Sequence, residues 1–219
     1  MIVVLLGAPG AGKGTQSKVL SERYGLLHLA TGDIFRGEIA AKTSLGLKAA
    51  DYVKNGKLVP DNIVTEMVAA KIDGAKSYLL DGFPRTLEQA QALDGFLKPQ
   101  GRSVDLVILL NLPQNAAMKR LTSRRVCSKC YEVYNILTKP PVADGVCDKC
   151  GGKVEQREDD TDATAAKRLM VFEDLTQPLA AYYKGEQIFS EVDASRGPAE
   201  VTASLSALID SKLVKTGKP

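Results

Sequence analysis

IVVLLGAPGAGKGT, residues 2–15, is the stretch that decides the fold. Five apolar residues closed by a glycine are typical of a strand buried on both faces of a parallel sheet. The glycines and lysine that follow have the spacing G-x-x-x-x-G-K of a loop whose backbone N–H groups wrap phosphate, at the positive N-terminal end of a helix. The segment therefore predicts an α/β domain with a phosphate-binding site directly after its first strand.

The loop contains one lysine, Lys13, placed to reach the β- and γ-phosphates of a nucleotide. A glycine-rich turn with a surface lysine is the alternative, but the preceding strand and following helix favour phosphate binding. One position departs from the general pattern. Gly14 stands where Ser or Thr normally supplies a hydroxyl ligand to magnesium, and Thr15 follows one residue later. The magnesium contact is therefore shifted or missing.

Further apolar runs repeat the character of the first one, and polar segments of helical length follow them. They lie around 27–31 and at 77–81, 104–112 and 187–193. Strands that alternate with helices predict an α/β fold with a doubly wound parallel sheet, whose ligands bind at the carboxyl ends of the strands. Residues 162–184 have apolar side chains at three- or four-residue spacing, which predicts a long helix with a bend at Pro178.

Two stretches interrupt this alternation. Residues 31–59 predict two successive short helices with no strand between them, separated by glycines. Residues 123–160 contain short β-prone pieces, turn signals and an acidic end. We interpret both stretches as insertions on a core that is formed by 1–30, 60–122 and 161–219.

The composition is that of an ordinary globular protein. The chain has 219 residues, 44% hydrophobic and 25% charged, with a net charge of +3. These values exclude a disordered or collagen-like chain, and they indicate neither a nucleic-acid nor a membrane partner. The first apolar run is too short for a signal peptide, and no run approaches the roughly 18 residues that span a bilayer. We therefore expect a cytoplasmic protein.

Four cysteines form the most specific cluster in the sequence. Two C-x-x-C pairs are separated by 16 residues, and the ligands are Cys127, Cys130, Cys147 and Cys150. Four thiolates at this spacing predict a tetrahedral, structural Zn²⁺ site with no open coordination position. Disulfides or free buried thiols are the alternatives, and both conflict with a reducing compartment.

Six arginines lie near the insertions or the strand ends: Arg36, Arg85, Arg120, Arg124, Arg157 and Arg168. We expect Arg120 and Arg124 one helical turn apart on a helix that begins at Pro113, where like charges repel by about 0.2 to 0.5 kcal/mol. For any one of these arginines, a solvated surface charge is the simplest interpretation. Their joint placement favours a phosphate clamp, since guanidinium grips phosphate with two hydrogen bonds.

Two other side chains bear on the chemistry. Asp81 ends the 77–81 run, next to the expected loop, and could orient magnesium through water; a turn residue ahead of Gly82 is the alternative. The single histidine, His28, lies in an apolar run, where a packed imidazole is expected rather than a catalytic one. The chemistry is therefore expected to rest on phosphate clamping.

Taken together, these residues resemble adenylate kinases of the bacterial form with a zinc-bearing lid. The similarity covers essentially the whole chain. It rests on GAPGAGKGT at 7–15, LATGDIFR at 29–36, GKLV at 56–59, DGFPRT at 81–86, RLTSRR at 120–125 and the segment 157–168. Glycine after the loop lysine is the usual form in this family. The resemblance implies a phosphotransferase with an AMP-binding domain at 31–59 and a lid at 123–160, which moves the γ-phosphate of ATP reversibly to AMP with Mg²⁺.

The resemblance also implies a set of site residues. ATP would contact Gly10, Ala11, Gly12, Lys13, Gly14, Thr15, Arg120, Arg124, Val133, Tyr134 and Arg196. AMP would contact Thr31, Arg36, Lys57, Leu58, Val59, Gly82, Phe83, Pro84, Arg85, Gln89, Arg157 and Arg168. Lys13, Arg85, Arg124, Arg157 and Arg168 would be catalytic, with Asp81 and Asp159 near magnesium.

Three of these assignments need comment. Gln89 also completes a capping box with Thr86, which by itself explains both residues at a helix start. Thr31 resembles the adenine-specific form of the family. Arg196 stands where many relatives have lysine or glutamine, so its contact with ATP is expected through the backbone.

Two alternatives remain open. Another nucleoside monophosphate kinase would differ only in its acceptor. A remodelling ATPase with a nucleic-acid-binding zinc ribbon would need a basic ribbon, but seven acidic residues largely cancel the charge of 123–160: Glu132, Asp144, Asp148, Glu155, Glu158, Asp159 and Asp160. We expect the partners to be the nucleotides ATP, AMP and ADP and not a nucleic acid, and we expect the protein to be a monomer.

Overall fold

The computed structural model describes residues 1–216, in which a central parallel sheet is covered by helices on both faces. With strands numbered along the whole chain, it contains β1 (Ile2–Gly7), β2 (Leu27–Ala30), β3 (Tyr78–Asp81), β4 (Leu106–Asn111) and β8 (Phe189–Asp193). They lie in the order β2-β3-β1-β4-β8, and every neighbouring pair is parallel. This confirms the predicted α/β fold and the four predicted partners of the first strand.

The helices occupy the segments between and after these strands. They are α1 (Lys13–Tyr24), α2 (Thr31–Ala40), α3 (Ser44–Lys54), α4 (Asp61–Ala69), α5 (Leu87–Leu97), α6 (Gln114–Thr122), α7 (Asp162–Gly185) and α8 (Pro198–Thr216). Short 3₁₀ turns lie at Lys98–Gln100 and Glu158–Asp160. Helix α7 continues through Pro178. Within residues 1–216, no helix is both long and apolar enough to cross a membrane.

Strand β1 is central because its side chains are apolar on both faces. Ile2, Val4 and Leu6 pack into one hydrophobic layer, and Val3 and Leu5 into the other. All six residues of the strand are buried. A strand apolar on both faces can be stable only when helices cover both sides of the sheet, so the first run of the sequence specifies the three-layer architecture.

The parallel register brings several strand ends to one edge of the sheet. Ala30 of β2 pairs with Asp81 of β3, and Gly7 of β1 pairs with Leu110 of β4. Gly7 must be glycine, since a Cβ atom there would lie 2.9 Å from the carbonyl oxygen of Leu110. The phosphate loop and the turn after β3 therefore emerge side by side, as expected for an α/β ligand site.

Helices α2 and α3 form the first predicted insertion, with no strand between them. The second contains an antiparallel sheet of β5 (Arg124–Cys127), β6 (Val133–Asn135) and β7 (Val154–Glu155), in the order β6-β5-β7. Its buried apolar cluster is small: Cys127, Tyr134, Cys147 and Val154. So few buried side chains give little hydrophobic stabilisation, and a unit of this size needs another source of stability.

One sequence-based expectation is wrong. Arg120 and Arg124 do not share a helix, because α6 ends at Thr122 and Arg124 begins β5. The hydroxyl of Ser123 donates to the carbonyl of Lys119 and satisfies a group at the helix end, and the backbone of Arg124 then pairs with Asn135. The like-charge repulsion expected within one helix therefore does not arise.

Candidate active site

The phosphate loop folds tightly against α6 and leads directly into α1. Gly10 and Gly12 have φ angles of +87° and +93°, a region that favours glycine. A Cβ atom on Gly10 would lie 2.8 Å from the carbonyl oxygen of Ala117, so a larger residue would push the loop off α6. Helix α1 then begins at Lys13 with its N-terminal N–H groups facing the loop.

Lys13 is half-buried in this loop and donates hydrogen bonds to the carbonyls of Gly7, at 2.7 Å, and Ala8, at 3.1 Å. Burial lowers the pKa of Lys13 to about 8, although the negative charge of Asp81 acts in the opposite direction. A lysine held in this way gains a strong partner when a phosphate group enters the loop, because the anion favours its charged form.

Asp81, at the carboxyl end of β3, lies beside the start of α1. Its Oδ2 atom is 3.4 Å from Ser17 Oγ and 3.4 Å from Nε2 of His28. Burial tends to raise the pKa of Asp81, but the hydrogen bond with His28 and the charge of Lys13 leave it below its usual value. Asp81 is thus an ionised carboxylate next to the phosphate loop. Sequence reasoning treated His28 only as a packed imidazole and missed this contact.

An open cleft of about 1070 Å³ lies beside the loop, between the core and helices α2 and α3. Most of the residues predicted for AMP line it together with Lys13: Thr31, Arg36, Lys57, Leu58, Val59, Gly82, Pro84, Arg85, Gln89 and Arg168. Phe83 does not line the cleft, because its side chain is buried in the hydrophobic core. Arg157 does not line the cleft either, but its ion-pair partner Asp159 does.

Three arginines meet two carboxylates where the lid joins α7. Arg124 binds Asp160 with two hydrogen bonds, at 2.7 and 2.6 Å. Arg157 binds Asp159 in the same two-pronged way, at 2.8 and 2.6 Å. Arg168 contacts both carboxylates, at 2.8 Å to Asp160 and 3.1 Å to Asp159. The cluster thus gathers cationic groups from three separate segments of the chain.

The charged groups in and near this cluster shift one another's pKa values. Burial opposes ionisation of Asp159, but the charges of Arg157 and Arg168 lower its pKa to about 2. Burial and the nearby charge of Arg157 lower the pKa of Arg36. Burial also lowers the pKa of Arg85. Buried cations that disfavour one another in this way gain stabilisation when a multivalent anion is bound among them.

Thr86 caps α5 as the sequence predicts, but the return bond from Gln89 goes to Arg85, the residue before the cap, and not to Thr86 itself. Thr86 Oγ1 accepts from the backbone N–H of Gln89, and Gln89 Oε1 accepts from the N–H of Arg85. Both side chains also donate to Asp61, at 2.9 and 2.7 Å. On the other side of the turn, Thr31 Oγ1 donates to the carbonyl of Gly82. These bonds fix the turn that carries Arg85 into the cleft.

The remaining residues predicted for ATP lie apart from the cleft. Tyr134 is buried in the lid, and its hydroxyl lies 3.4 Å from Cys147 Sγ. Val133, its neighbour in β6, is exposed. Arg196 is exposed and lies 3.4 Å from Asp193. The carbonyl of Arg120 accepts a hydrogen bond from Asn135 of the lid.

The four cysteines converge as their spacing predicts. All four Sγ atoms lie within 4.8 Å of one another, and two of the distances are 3.5 Å, Cys127 to Cys150, and 3.6 Å, Cys130 to Cys147. Tetrahedral thiolates at 2.3 Å from zinc would be about 3.8 Å apart. The hydrogen bond from Tyr134 lowers the pKa of Cys147 to about 6, which favours its thiolate form. The four residues therefore fit a metal ion with all-sulfur ligands.

Two features of the site escaped sequence reasoning. Asp160 is fully buried and binds two of the arginines, yet in the sequence it stands next to Asp159 in an acidic run and nothing distinguishes it. An apolar wall formed by Phe35, Val64 and Phe172 also lines the cleft. Such residues have the sequence pattern of ordinary core positions, so only their position in the fold identifies them.

Comparison with known proteins agrees with this geometry. A family model described as adenylate kinase matches residues 5–188. An adenylate kinase of Clostridium perfringens (strain SM101 / Type A) is 47% identical over 214 residues, which cover 96% of this chain and 99% of the relative. An adenylate kinase of Clostridium tetani (strain Massachusetts / E88) is 45% identical over 212 residues, 95% of this chain and 98% of the relative. With a phosphate loop, an arginine-lined cleft and this extent of similarity, the chain belongs to the adenylate kinase family.

Proposed function

We propose that the chain catalyses the reversible transfer of the γ-phosphate of ATP to AMP, which gives two molecules of ADP. The observation that carries this proposal is the position of Lys13, which belongs to the phosphate loop and also lines the cleft that holds Arg36, Arg85 and Arg168. A loop for the donor phosphates thus opens into a second, arginine-lined space that suits a nucleoside monophosphate.

The reaction needs positioning and charge neutralisation more than covalent participation by the protein. An acceptor phosphate is already anionic and needs little help from a base. Lys13 and the loop N–H groups hold the donor phosphates, Arg85 and Arg36 hold the acceptor phosphate, and Arg124, Arg157 and Arg168 neutralise the charge that spreads over the transferred group.

Bound with ATP, Mg²⁺ would neutralise charge on its phosphates. Asp81 fits a role near the ion, because its carboxylate is ionised and lies beside the first turn of α1. Asp159 fits less well in the present arrangement, since Arg157 and Arg168 occupy its carboxylate oxygens. Gly14 has no hydroxyl group to bind magnesium, but Thr15, the next residue, offers one. We assign Asp81 to the magnesium environment and Asp159 to holding the arginines.

We retain the division into a core of 1–30, 60–122 and 161–219, an AMP-binding domain at 31–59 and a lid at 123–160. Closure of both insertions over the nucleotides would exclude water, which would otherwise accept the phosphate. We also propose that the ion held by Cys127, Cys130, Cys147 and Cys150 is Zn²⁺, and that it is structural, because four protein thiolates complete its coordination. A monomer in the cytoplasm is part of the same proposal.

The test is ADP formation from ATP, measured with and without AMP on protein of known metal content. We expect ADP only with AMP, and a loss of at least about 100-fold in kcat for Lys13→Met, the scale of removing one donor to the transition state. Lys71→Met is the matched control and should behave as wild type, because Lys71 is an exposed lysine just after the end of α4. Near-normal transfer by Lys13→Met would disprove the mechanism.

A second measurement decides the acceptor. Thr31, which lines the cleft, resembles the adenine-specific form of the family. In a coupled assay with AMP, GMP, CMP and UMP at equal concentration, we expect AMP to give the highest kcat/KM. A higher value for any other monophosphate would assign the chain to a different acceptor within the same reaction class.

A further inference from the structure

The carboxyl edge of the sheet has two sides. The cleft wall contains Gly7 at the end of β1, Thr31 after β2 and Gly82 after β3. Among residues 1–216, it takes no residue from the turn between β8 and α8. In the order β2-β3-β1-β4-β8, the acceptor cleft therefore lies on the β2 and β3 side of the phosphate loop. With in-line transfer, the nucleoside of the donor must leave the loop in the opposite direction, over the ends of β4 and β8.

One side chain of α1 reaches that opposite side. Gln16, in the first turn of the helix, is only 4% exposed and donates from Nε2 to the carbonyl of Pro198, at 3.0 Å. Its Oε1 accepts from the hydroxyl of Thr202, at 2.7 Å. Both partners belong to the first turns of α8, more than 180 residues away in the chain. The backbone of Gln16 is held separately, because its N–H donates to the carbonyl of Gly12 at 3.0 Å.

These two bonds fix the turn of residues 194–197, which we call the β8–α8 turn. At its start, the N–H of Ala194 donates to the carbonyl of Asn111 at the end of β4. At its end, the carbonyl of Pro198 is held by Gln16. The turn is therefore tied at one end to the sheet and at the other to the helix that begins at Lys13. The amide nitrogen and the amide oxygen of Gln16 are both hydrogen-bonded, so this buried side chain favours a single arrangement of α1 and α8.

We propose that Gln16 is a positioning residue for the phosphate donor. The family resemblance already implies an ATP contact through the backbone of Arg196, which lies in the β8–α8 turn. Gln16 holds this turn at a fixed distance from the phosphate loop, so that the turn forms a wall of the donor's nucleoside subsite while the loop holds the phosphates. This inference rests on the proposed function, because it takes ATP as the donor.

The test compares a donor with and without a nucleoside. Gln16→Met keeps the length of the side chain and removes both hydrogen bonds, and Thr202→Val removes one of them. Ser204→Ala is the matched control, since the hydroxyl of Ser204 lies on the same helix and bonds only to the carbonyl of Glu200 within it. For each enzyme, KM is measured for ATP and for AMP, together with inhibition by inorganic tripolyphosphate competing with ATP.

In Gln16→Met we expect the KM for ATP to rise about fivefold, the effect of roughly one net hydrogen bond. Thr202→Val should show a smaller rise in the same direction. The KM for AMP and the inhibition constant of tripolyphosphate should stay within about twofold of wild type in both variants, because neither the cleft nor the phosphate loop depends on the β8–α8 turn. Ser204→Ala should match wild type in every constant.

Two results would overturn the proposal. If tripolyphosphate binding weakens together with ATP binding, Gln16 supports the phosphate loop and not a nucleoside subsite. If the KM for ATP is unchanged in both variants, the turn does not contact the donor. Should Gln16→Met fail to fold, Thr202→Val still decides between these results. Titration calorimetry with ATP and tripolyphosphate gives the same comparison even if wild type forms no ADP, which would refute only the proposed function.

Discussion

Asp160 accepts two hydrogen bonds from Arg124, with its carboxylate oxygens 2.7 Å from Nε and 2.6 Å from an Nη atom. Asp160 is fully buried, and Arg168 contacts the same carboxylate at 2.8 Å. Arg124 begins the lid sheet, Asp160 ends the insertion, and Arg168 lies in α7. The pair therefore closes the insertion at its base and holds two of the proposed catalytic cations in place before any nucleotide binds.

Removing the charge of Asp160 should destabilise the protein. In Asp160→Asn the side-chain shape is kept, but two guanidinium groups lose a buried counter-ion. Removing one partner of a buried pair is costly, and we discount the cost because the arginines are partly exposed, which leaves about 2 kcal/mol. For a chain of this size, that corresponds to a fall in Tm of roughly 4 to 8 °C. Thermal unfolding followed by circular dichroism measures it.

Glu158→Gln is the matched control, because Glu158 lies exposed in the same short 3₁₀ turn. Its Tm should stay within about 1 °C of wild type, as expected for a surface substitution. An Asp160→Asn protein with an unchanged Tm would show that the arginines do not need this counter-ion in the folded state.

The affinity for ATP should fall as the pH rises above about 8, where the half-buried Lys13 loses its proton. Bound phosphate favours the charged lysine, so binding above this pH must take up a proton. ATP itself adds no titration there, because its phosphates ionise near pH 6 to 7. We expect the dissociation constant to rise roughly fivefold between pH 8 and pH 9.

Titration calorimetry from pH 7 to pH 9.5 measures this dependence. Lys13→Arg is the control, since arginine stays charged throughout the range. Its dissociation constant for ATP, whatever its absolute value, should not change with pH. An equal rise in both proteins would assign the effect to another group.

A substitution at Arg85 should impair the reaction with the acceptor, AMP, and leave the binding of ATP unchanged. The Nε of Arg85 donates to the carbonyl of Gly82 at 2.7 Å, which aims the guanidinium into the cleft. Lysine cannot hold this bond and a phosphate in the same geometry. For Arg85→Lys we expect kcat/KM for AMP to fall about 10- to 100-fold, which corresponds to one lost charged hydrogen bond, with the KM for ATP unchanged.

Arg102→Lys is the control for this change. Arg102 also donates to two backbone carbonyls, those of Asp73 and Lys76, but it is not among the residues that line the cleft. Its kinetic constants should match those of wild type. A parallel loss for ATP and AMP in Arg85→Lys would mean that Arg85 supports the whole site and not the acceptor alone.

The four cysteines should stabilise the lid through a bound metal. Cys147→Ser should lower the zinc content, measured by atomic absorption, from one ion per chain towards zero. We expect Tm to fall by roughly 5 °C or more, because the lid has only four buried residues in its own cluster. Turnover at low temperature should remain measurable, since the metal is proposed as structural.

Lys129→Ala is the control, because Lys129 is exposed between two of the cysteines and offers no ligand from its side chain. It should keep its metal and its Tm. Complete loss of activity in a Cys147→Ser protein that remains folded would instead indicate a catalytic ion.

The sequence by itself determined the features that depend on local pattern. The run from Ile2 to Thr15 specified a buried strand, a phosphate loop and a helix, because strand burial and loop geometry depend on neighbouring residues. The two C-x-x-C pairs specified the four-cysteine cluster for the same reason. The glycines at Gly10 and Gly12 have the positive φ angles that their residue type allows.

Only the tertiary structure decided which distant groups meet. Arg124 was expected one helical turn from Arg120, yet it begins a strand and pairs with Asp160, 36 residues further along the chain. The sequence around Gln16 likewise carries no sign of its bond with the carbonyl of Pro198. Contacts of this kind depend on how the sheet orders its strands and how the insertions fold back, and a side chain carries no local mark of a partner so far away in the sequence.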